Sequence, residues 1–217
     1  MKLNQYIDHT ILKPSATEAD VIRICKEAAA HQFASVCINP CHVALAKKLL
    51  KGSGVKVCTV IGFPLGANTS ETKAFETERA YADGCDEFDM VLNIGYLKAM
   101  QYEKVSEDIK AVVKAAKGKC VKVIIETGLL TDEEKIKATA LSCAAGAQFV
   151  KTCTGFSAGV AEPSDVALMK QHVTNGVKVK ASAGIKTREK ALELIEAGAD
   201  RLGTSSGPAI LEGGKER

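Results

Sequence analysis

Eight short runs that read as strands alternate along the 217-residue chain with amphipathic stretches that read as helices, and that alternation leaves few folds open. The strand runs are 7–12, 35–38, 55–62, 87–93, 121–127, 149–152, 177–182 and 201–204. Between them, 17–31, 69–83, 102–117, 132–145 and 187–197 carry apolar residues at intervals of three and four, the period of one helix face. Their starts bear capping residues: Ser15 or Thr17, Thr69 or Ser70, Thr131 with Glu134 three positions on, and Thr187. A weak repeat runs through the segments at 82–93 (ADGCDEFDMVLN), 144–155 (AAGAQFVKTCTG) and 196–207 (EAGADRLGTSSG). In each, a helix ends on small residues, Gly84, Gly146 or Gly198 supplies a left-handed cap, and a strand follows. Strands alternating with helices imply a parallel sheet. Both an open doubly wound sheet and a closed barrel fit that order. The count of eight, the persistence of the repeat to the last unit and the lack of a GxGxxG at the first βα turn favour an α/β fold of the (β/α)8 TIM-barrel type, with a short N-terminal segment. No composition shift, Pro-rich linker or charge run divides the chain, so residues 1–217 are expected to form one domain.

In such a barrel helices cover the outside of every strand, so charged strand residues should point into the lumen. By strand parity Asp89, Glu126, Lys151 and Lys180 share one interior, with Lys151 and Lys180 near the ends of their strands, where barrels of this kind keep their chemistry. Lys178, two residues deeper, should pair with a carboxylate. A buried lysine is costly unless paired or useful. A free lysine titrates near 10.4, so bringing one to neutrality near pH 7 takes about 4–5 kcal/mol. A second ammonium about 4 Å away supplies about 4 kcal/mol at an effective dielectric near 20. Two convergent lysines with an inward aspartate therefore point to a nucleophilic amine with its proton-transfer partners.

The last loops are rich in small residues: TCTGF at 152–156, ASAG at 181–184 and GTSSG at 203–207, the last feeding a short helical stretch at 208–211. Such turns present backbone N–H groups and hydroxyls to an anion. Thr154, Gly155, Gly184, Ser205 and Ser206 are the expected phosphate ligands. The eight cysteines lie mainly in apolar positions and read as reduced, small, buried hydrophobes. Cys37, Cys41 and His42 match no common zinc spacing, and no metal is expected. A net charge of +3 and an aromatic content of 5% give no case for nucleic acid. No apolar run suits a membrane span, and the N-terminus has no signal-peptide core, so a cytoplasmic location is expected.

Eight segments carry a family resemblance: IDHTILKP at 7–14, SVCINP at 35–40, VIGFPLG at 60–66, EFDMVLNIG at 87–95, KVIIETGLL at 122–130, FVKTCTGF at 149–156, VKASAGIK at 179–186 and LGTSSG at 202–207. Together they resemble the deoxyribose-phosphate aldolases over nearly the whole chain. The resemblance implies a class I aldolase that reversibly cleaves 2-deoxy-D-ribose 5-phosphate to D-glyceraldehyde 3-phosphate and acetaldehyde, with no cofactor or metal. Lys151 would form the Schiff base, Lys180 would perturb it and help move protons, Asp89 would join the relay, and Cys37 would line the aldehyde pocket. Three features depart from the family pattern. The usual double glycine reads Ala183-Gly184; Phe156 stands where some relatives carry lysine; and the last tyrosine is Tyr102, so no tyrosine-bearing tail is expected to reach the site. Expected partners are a sugar phosphate, acetaldehyde and further copies of the chain in a homodimer or larger assembly. The competing readings are another phosphate-binding TIM-barrel aldolase or isomerase, and a non-catalytic sugar-phosphate sensor, which would keep GTSSG but need neither lysine.

Overall fold

A computed structural model of the chain describes residues 2–157 and 159–213. The C-terminal residues 214–217, where no tyrosine-bearing tail is expected, lie outside the described residues. Eight parallel strands close into a barrel in sequence order: β1 Ile7–Ile11, β2 Ser35–Ile38, β3 Lys56–Ile61, β4 Glu87–Val91, β5 Cys120–Ile124, β6 Phe149–Lys151, β7 Lys178–Ser182 and β8 Arg201–Thr204. The closing pair sets Asp8 of β1 against Gly203 of β8. The described helices are α1 Glu18–His31, α2 Val43–Leu49, α3 Ser70–Ala82, α4 Ile94–Lys98, α5 Tyr102–Ala115, α6 Asp132–Ala144, α7 Pro163–His172, α8 Arg188–Glu196 and α9 Gly207–Glu212. A 3-10 turn at Leu3–Tyr6 precedes β1. No described helix is long and apolar enough to cross a membrane.

Local chemistry sets the boundaries. The hydroxyls of Thr17, Thr69, Thr131 and Thr187 accept N–H bonds from the first turns of α1, α3, α6 and α8, and Thr17 with Asp20 and Thr131 with Glu134 complete capping boxes. Gly84, Gly146 and Gly198 take φ values of 97°, 91° and 114° just past α3, α6 and α8, turning the chain back toward the next strand. The main core lies between barrel and helices: Val36, Ile38, Val57, Phe88, Met90, Val121, Val123, Val150, Val179 and Leu202 face outward from the strands and are fully buried. A small apolar cluster of Leu12, Cys37, Cys58 and Val60 sits apart from it, with Phe63 against it.

Six strands are shorter than the sequence suggests, and three of the early ends bear on the site. β4 stops at Val91 because the Asn93 side chain accepts the Tyr96 N–H at 3.1 Å and caps α4. β5 stops at Ile124, and Glu126 turns to φ 58°. β6 stops at Lys151, so Thr152 already belongs to the loop. Sequence periodicity also passed over α2, α4 and α7. The first two are short, and α7 buries only Val166 and Met169 fully, too little to print a stripe.

Candidate active site

The lumen holds a closed set of charges. Asp89, on β4, is completely buried. Its Oδ2 accepts from Lys151 Nζ at 2.8 Å and Lys180 Nζ at 2.7 Å, and its Oδ1 accepts from Lys122 Nζ at 2.8 Å and the Cys58 thiol at 3.1 Å. The nitrogens of residues 151 and 180 share one oxygen, so they can lie no further apart than the sum of those two distances. Both side chains are screened from solvent, with Lys151 3% exposed and Lys180 fully covered. Register explains the convergence: Lys151 and Lys180 are cross-strand partners on β6 and β7, and their side chains therefore leave the sheet on the same face.

A second layer lies beneath. Asp8 of β1 meets Lys180 Nζ at 2.5 Å, takes the Ser35 hydroxyl at 2.6 Å and is clamped by one Arg201 nitrogen. The other terminal nitrogen of Arg201 reaches Glu87 at 3.0 Å, and Glu87 also meets Lys122 at 2.7 Å. Burial by itself would raise the pKa of each carboxyl. The surrounding ammonium and guanidinium charges outweigh it, holding Asp89 well below the ordinary carboxylate range and lowering Asp8 and Glu87 as well. Conversely, burial would strip the protons from Lys122 and Lys180, but their carboxylates hold both pKa values above the ordinary lysine range. Lys180 is thus a fixed positive charge beside Lys151.

Lys151 also lines a pocket of about 410 Å³ at the C-terminal ends of the strands, together with Thr154, Gly155, Phe156, Ser182, Gly184, Thr204 and Ser205. Wider concavities of about 860 and 630 Å³ are lined by residues at the opposite, N-terminal ends of the strands, away from these charges. Of the residues read from sequence as phosphate ligands, Gly155, Gly184, Ser205 and Thr154 line the 410 Å³ pocket. Thr154, however, spends both its N–H and its hydroxyl on Glu126, at 3.2 and 2.5 Å. Ser206 is not among the lining residues, and its N–H goes to the Thr204 hydroxyl at 2.9 Å. Lys13 and Lys186 line the pocket and were passed over by the sequence reading, although both sit inside segments it quoted, at 7–14 and 179–186.

Several expectations need correction. Glu126 does not join the lysines: its strand ends two residues earlier and the left-handed turn carries the carboxyl to Thr154. Lys178 has no carboxylate partner among the described contacts; it is exposed, with its ammonium 6.0 Å from the Phe149 ring centre. The deep cations are instead Lys122 and Arg201. Cys41 is exposed and Cys120 half-buried, whereas Cys37 is fully buried, so Cys37, Cys41 and His42 do not assemble. Cys37 instead faces its register partner Cys58 inside the barrel; the neighbouring Cys58 sulfur lowers its thiol pKa against the effect of burial. Cys37, Cys58 and Asp89 place three donor atoms within 4.8 Å of one another. A divalent cation among them would face three ammonium groups already bound to Asp89, which disfavours it. Ala183 adopts φ 80°, a left-handed conformation that costs an alanine roughly 1–2 kcal/mol, at the position where the related motif has glycine. Phe156 is half-exposed and packs edge-on against Phe63 with ring centres 5.2 Å apart, giving one wall of the pocket an apolar surface.

Comparison with known proteins shows the family and the fold. The chain matches the DeoC/LacD family aldolase model over residues 2–213. It is 58% identical to a deoxyribose-phosphate aldolase of Finegoldia magna over 98% of this chain and 100% of that one. Among solved structures it superposes on an aldolase designated QR15 with a TM-score of 0.93 and 41% identity, covering 97% of this chain and 94% of that one. A tetrameric deoxyribose phosphate aldolase from Aeropyrum pernix gives a TM-score of 0.90 at 36% identity, over 97% and 89% of the two chains.

Proposed function

The chain belongs to the DeoC/LacD aldolase family, and from that premise we propose that it cleaves 2-deoxy-D-ribose 5-phosphate reversibly to D-glyceraldehyde 3-phosphate and acetaldehyde through a Schiff base on Lys151. The observation that carries the assignment is the shared Asp89 oxygen: two lysine nitrogens meet on it inside the closed barrel, buried from solvent, and one of the two side chains also lines the pocket.

After giving up a proton, the Lys151 amine attacks the C1 carbonyl of the open-chain sugar, and the carbinolamine loses water to give an iminium. That cation sits against Asp89 Oδ2, an oxygen already placed to receive positive charge, so its formation requires little rearrangement. A base then takes the proton from the C3 hydroxyl, the C2–C3 bond breaks, and its electron pair moves into the iminium to leave an enamine. Glyceraldehyde 3-phosphate departs. Protonation of the enamine carbon and addition of water release acetaldehyde and restore the amine. Lys180, kept charged by Asp8 and Asp89, is suited to donate the proton, and Asp89 to couple the two amines. Gly155, Gly184 and Ser205 would cradle the phosphate, with Lys13 and Lys186 supplying positive charge at the same pocket. In this reading Thr154 supports the cradle by tying it to Glu126, and Ser206 supports the turn. Cys37 would pack beneath the aldehyde. Assembly into a homo-oligomer belongs to the same proposal, supported by the tetrameric Aeropyrum relative.

The test is reduction with borohydride in the presence of acetaldehyde, followed by mass spectrometry. The adduct is expected on Lys151 and should disappear in Lys151→Leu. An adduct that persists on another lysine in that variant would reject the assignment.

A further inference from the structure

The charges in the barrel do not balance one for one. Three buried carboxylates, Asp8, Glu87 and Asp89, face four buried cations, Lys122, Lys151, Lys180 and Arg201. The distribution of contacts is uneven. Lys122 touches Glu87 and Asp89 and lies 3.9 Å from Asp8, Lys180 touches Asp8 and Asp89, and Arg201 touches Asp8 and Glu87. Lys151 touches Asp89 alone, on an oxygen it must share with Lys180. The three deeper cations and three carboxylates form a neutral set without it, and Lys151 is the surplus cation. Lys56 also meets Glu87 at 3.1 Å, but from a side chain 56% exposed, where solvent screens it.

Resting on the Schiff-base reading above, we infer that Glu87 and Arg201 are positioning residues that keep Lys151 available as a free amine by fixing the charge of the layer beneath it. Neither side chain touches Lys151 or lines the pocket. Their action is electrostatic: each unit of charge added to or removed from the neutral set is felt at the surplus cation. The groups that face the lumen around Lys151 are Asp8 from β1, Cys37 from β2, Cys58 from β3, Glu87 and Asp89 from β4, Lys122 from β5, Lys180 from β7 and Arg201 from β8, with Glu126 beyond the end of β5. The Cys58 thiol is donated to Asp89, and Glu126 is spent on Thr154. Glu87 and Arg201 are thus members of the set whose charge can be altered without removing a direct partner of Lys151.

The experiment measures the rate of reductive trapping of Lys151 by acetaldehyde from pH 5 to 10 in the full chain. Glu87→Gln leaves one more cation uncompensated, and the midpoint of the pH profile is expected to move down by about one unit, the effect of a unit charge roughly 10 Å away at an effective dielectric near 20. Arg201→Gln leaves a carboxylate uncompensated and should move it up by a similar amount. The double variant restores the charge count and should bring the midpoint back, and Arg201→Lys should leave it in place. A role in packing alone predicts neither opposite shifts nor recovery in the double variant. Glu87→Gln is nearly isosteric, so its downward shift decides the matter even if the arginine variants fold poorly. Midpoints that stay within about 0.3 unit, or that move in one direction for both single variants, overturn the inference while leaving the Lys151 adduct intact. An adduct on a different lysine in the unaltered protein overturns the Schiff-base reading and this inference with it.

Discussion

Replacing Lys180 with methionine removes a charge and keeps most of the side-chain volume. Its nitrogen and that of Lys151 each lie within 2.8 Å of Asp89 Oδ2, which puts the two roughly 4–5 Å apart. At an effective dielectric near 20, a unit charge at about 5 Å contributes about 3 kcal/mol, or roughly two units of pH. The loss acts twice in the same direction. Lys151 loses its repelling neighbour, and Asp8 and Asp89 lose a counter-ion they shared, so Lys151 becomes the cation they draw on. The pH midpoint for Lys151 trapping should therefore rise by about two units, and the rate at pH 7 should fall roughly 100-fold. Raising the pH to about 9 should recover much of the trapping but not the full cleavage rate, because a proton donor has also gone. The assay is trapping and cleavage in parallel across pH, with circular dichroism to verify folding. An unmoved or lowered midpoint would refute the electrostatic argument. A loss of cleavage that is independent of pH, with trapping intact, would reduce Lys180 to a proton donor.

Two further outcomes follow from the geometry and charges of the lumen. A Cβ on Gly203 would stand 2.9 Å from Ser182 Cβ and 3.1 Å from Lys180 Cε, so Gly203→Ala should push the Lys180 stem off Asp89, cost about 1–3 kcal/mol in stability and slow cleavage at least tenfold; an unchanged rate would show that this close approach does not hold Lys180 in place. Asp8, Glu87 and Asp89 all have lowered pKa values in the fold, so the stability they contribute is present above the unfolded carboxylate range and is lost as pH falls through the depressed values. Urea midpoints should accordingly hold through pH 5 and decline only below about pH 4, and a decline that begins above pH 6 would contradict the assignment of the buried charges.

Much of this protein is legible in its sequence because the relevant signals are local. Threonine caps, glycines past the helix ends and the three repeated segments set the alternation of strand and helix within a few residues of each boundary. Strand parity then sends Asp89, Lys151 and Lys180 inward once both outer faces are known to be covered. Parity fails where a strand ends early: Glu126 counts as inward only if β5 runs on, and the backbone turns left-handed there instead. The same local reading placed Lys178 with a carboxylate, yet its side chain is exposed at the start of β7.

What the chain could not disclose by itself is the pairing among its buried charges. Arg201 and Asp8 are 193 residues apart and Arg201 and Glu87 are 114 apart, and only closure of the barrel brings them together. The sequence by itself determined that Asp89, Lys151 and Lys180 face the lumen, since that follows from a two-residue period and covered outer faces. Tertiary structure alone decided which amine is left without a carboxylate of its own, because Coulomb energy depends on distances that eight strands set jointly and no single segment encodes.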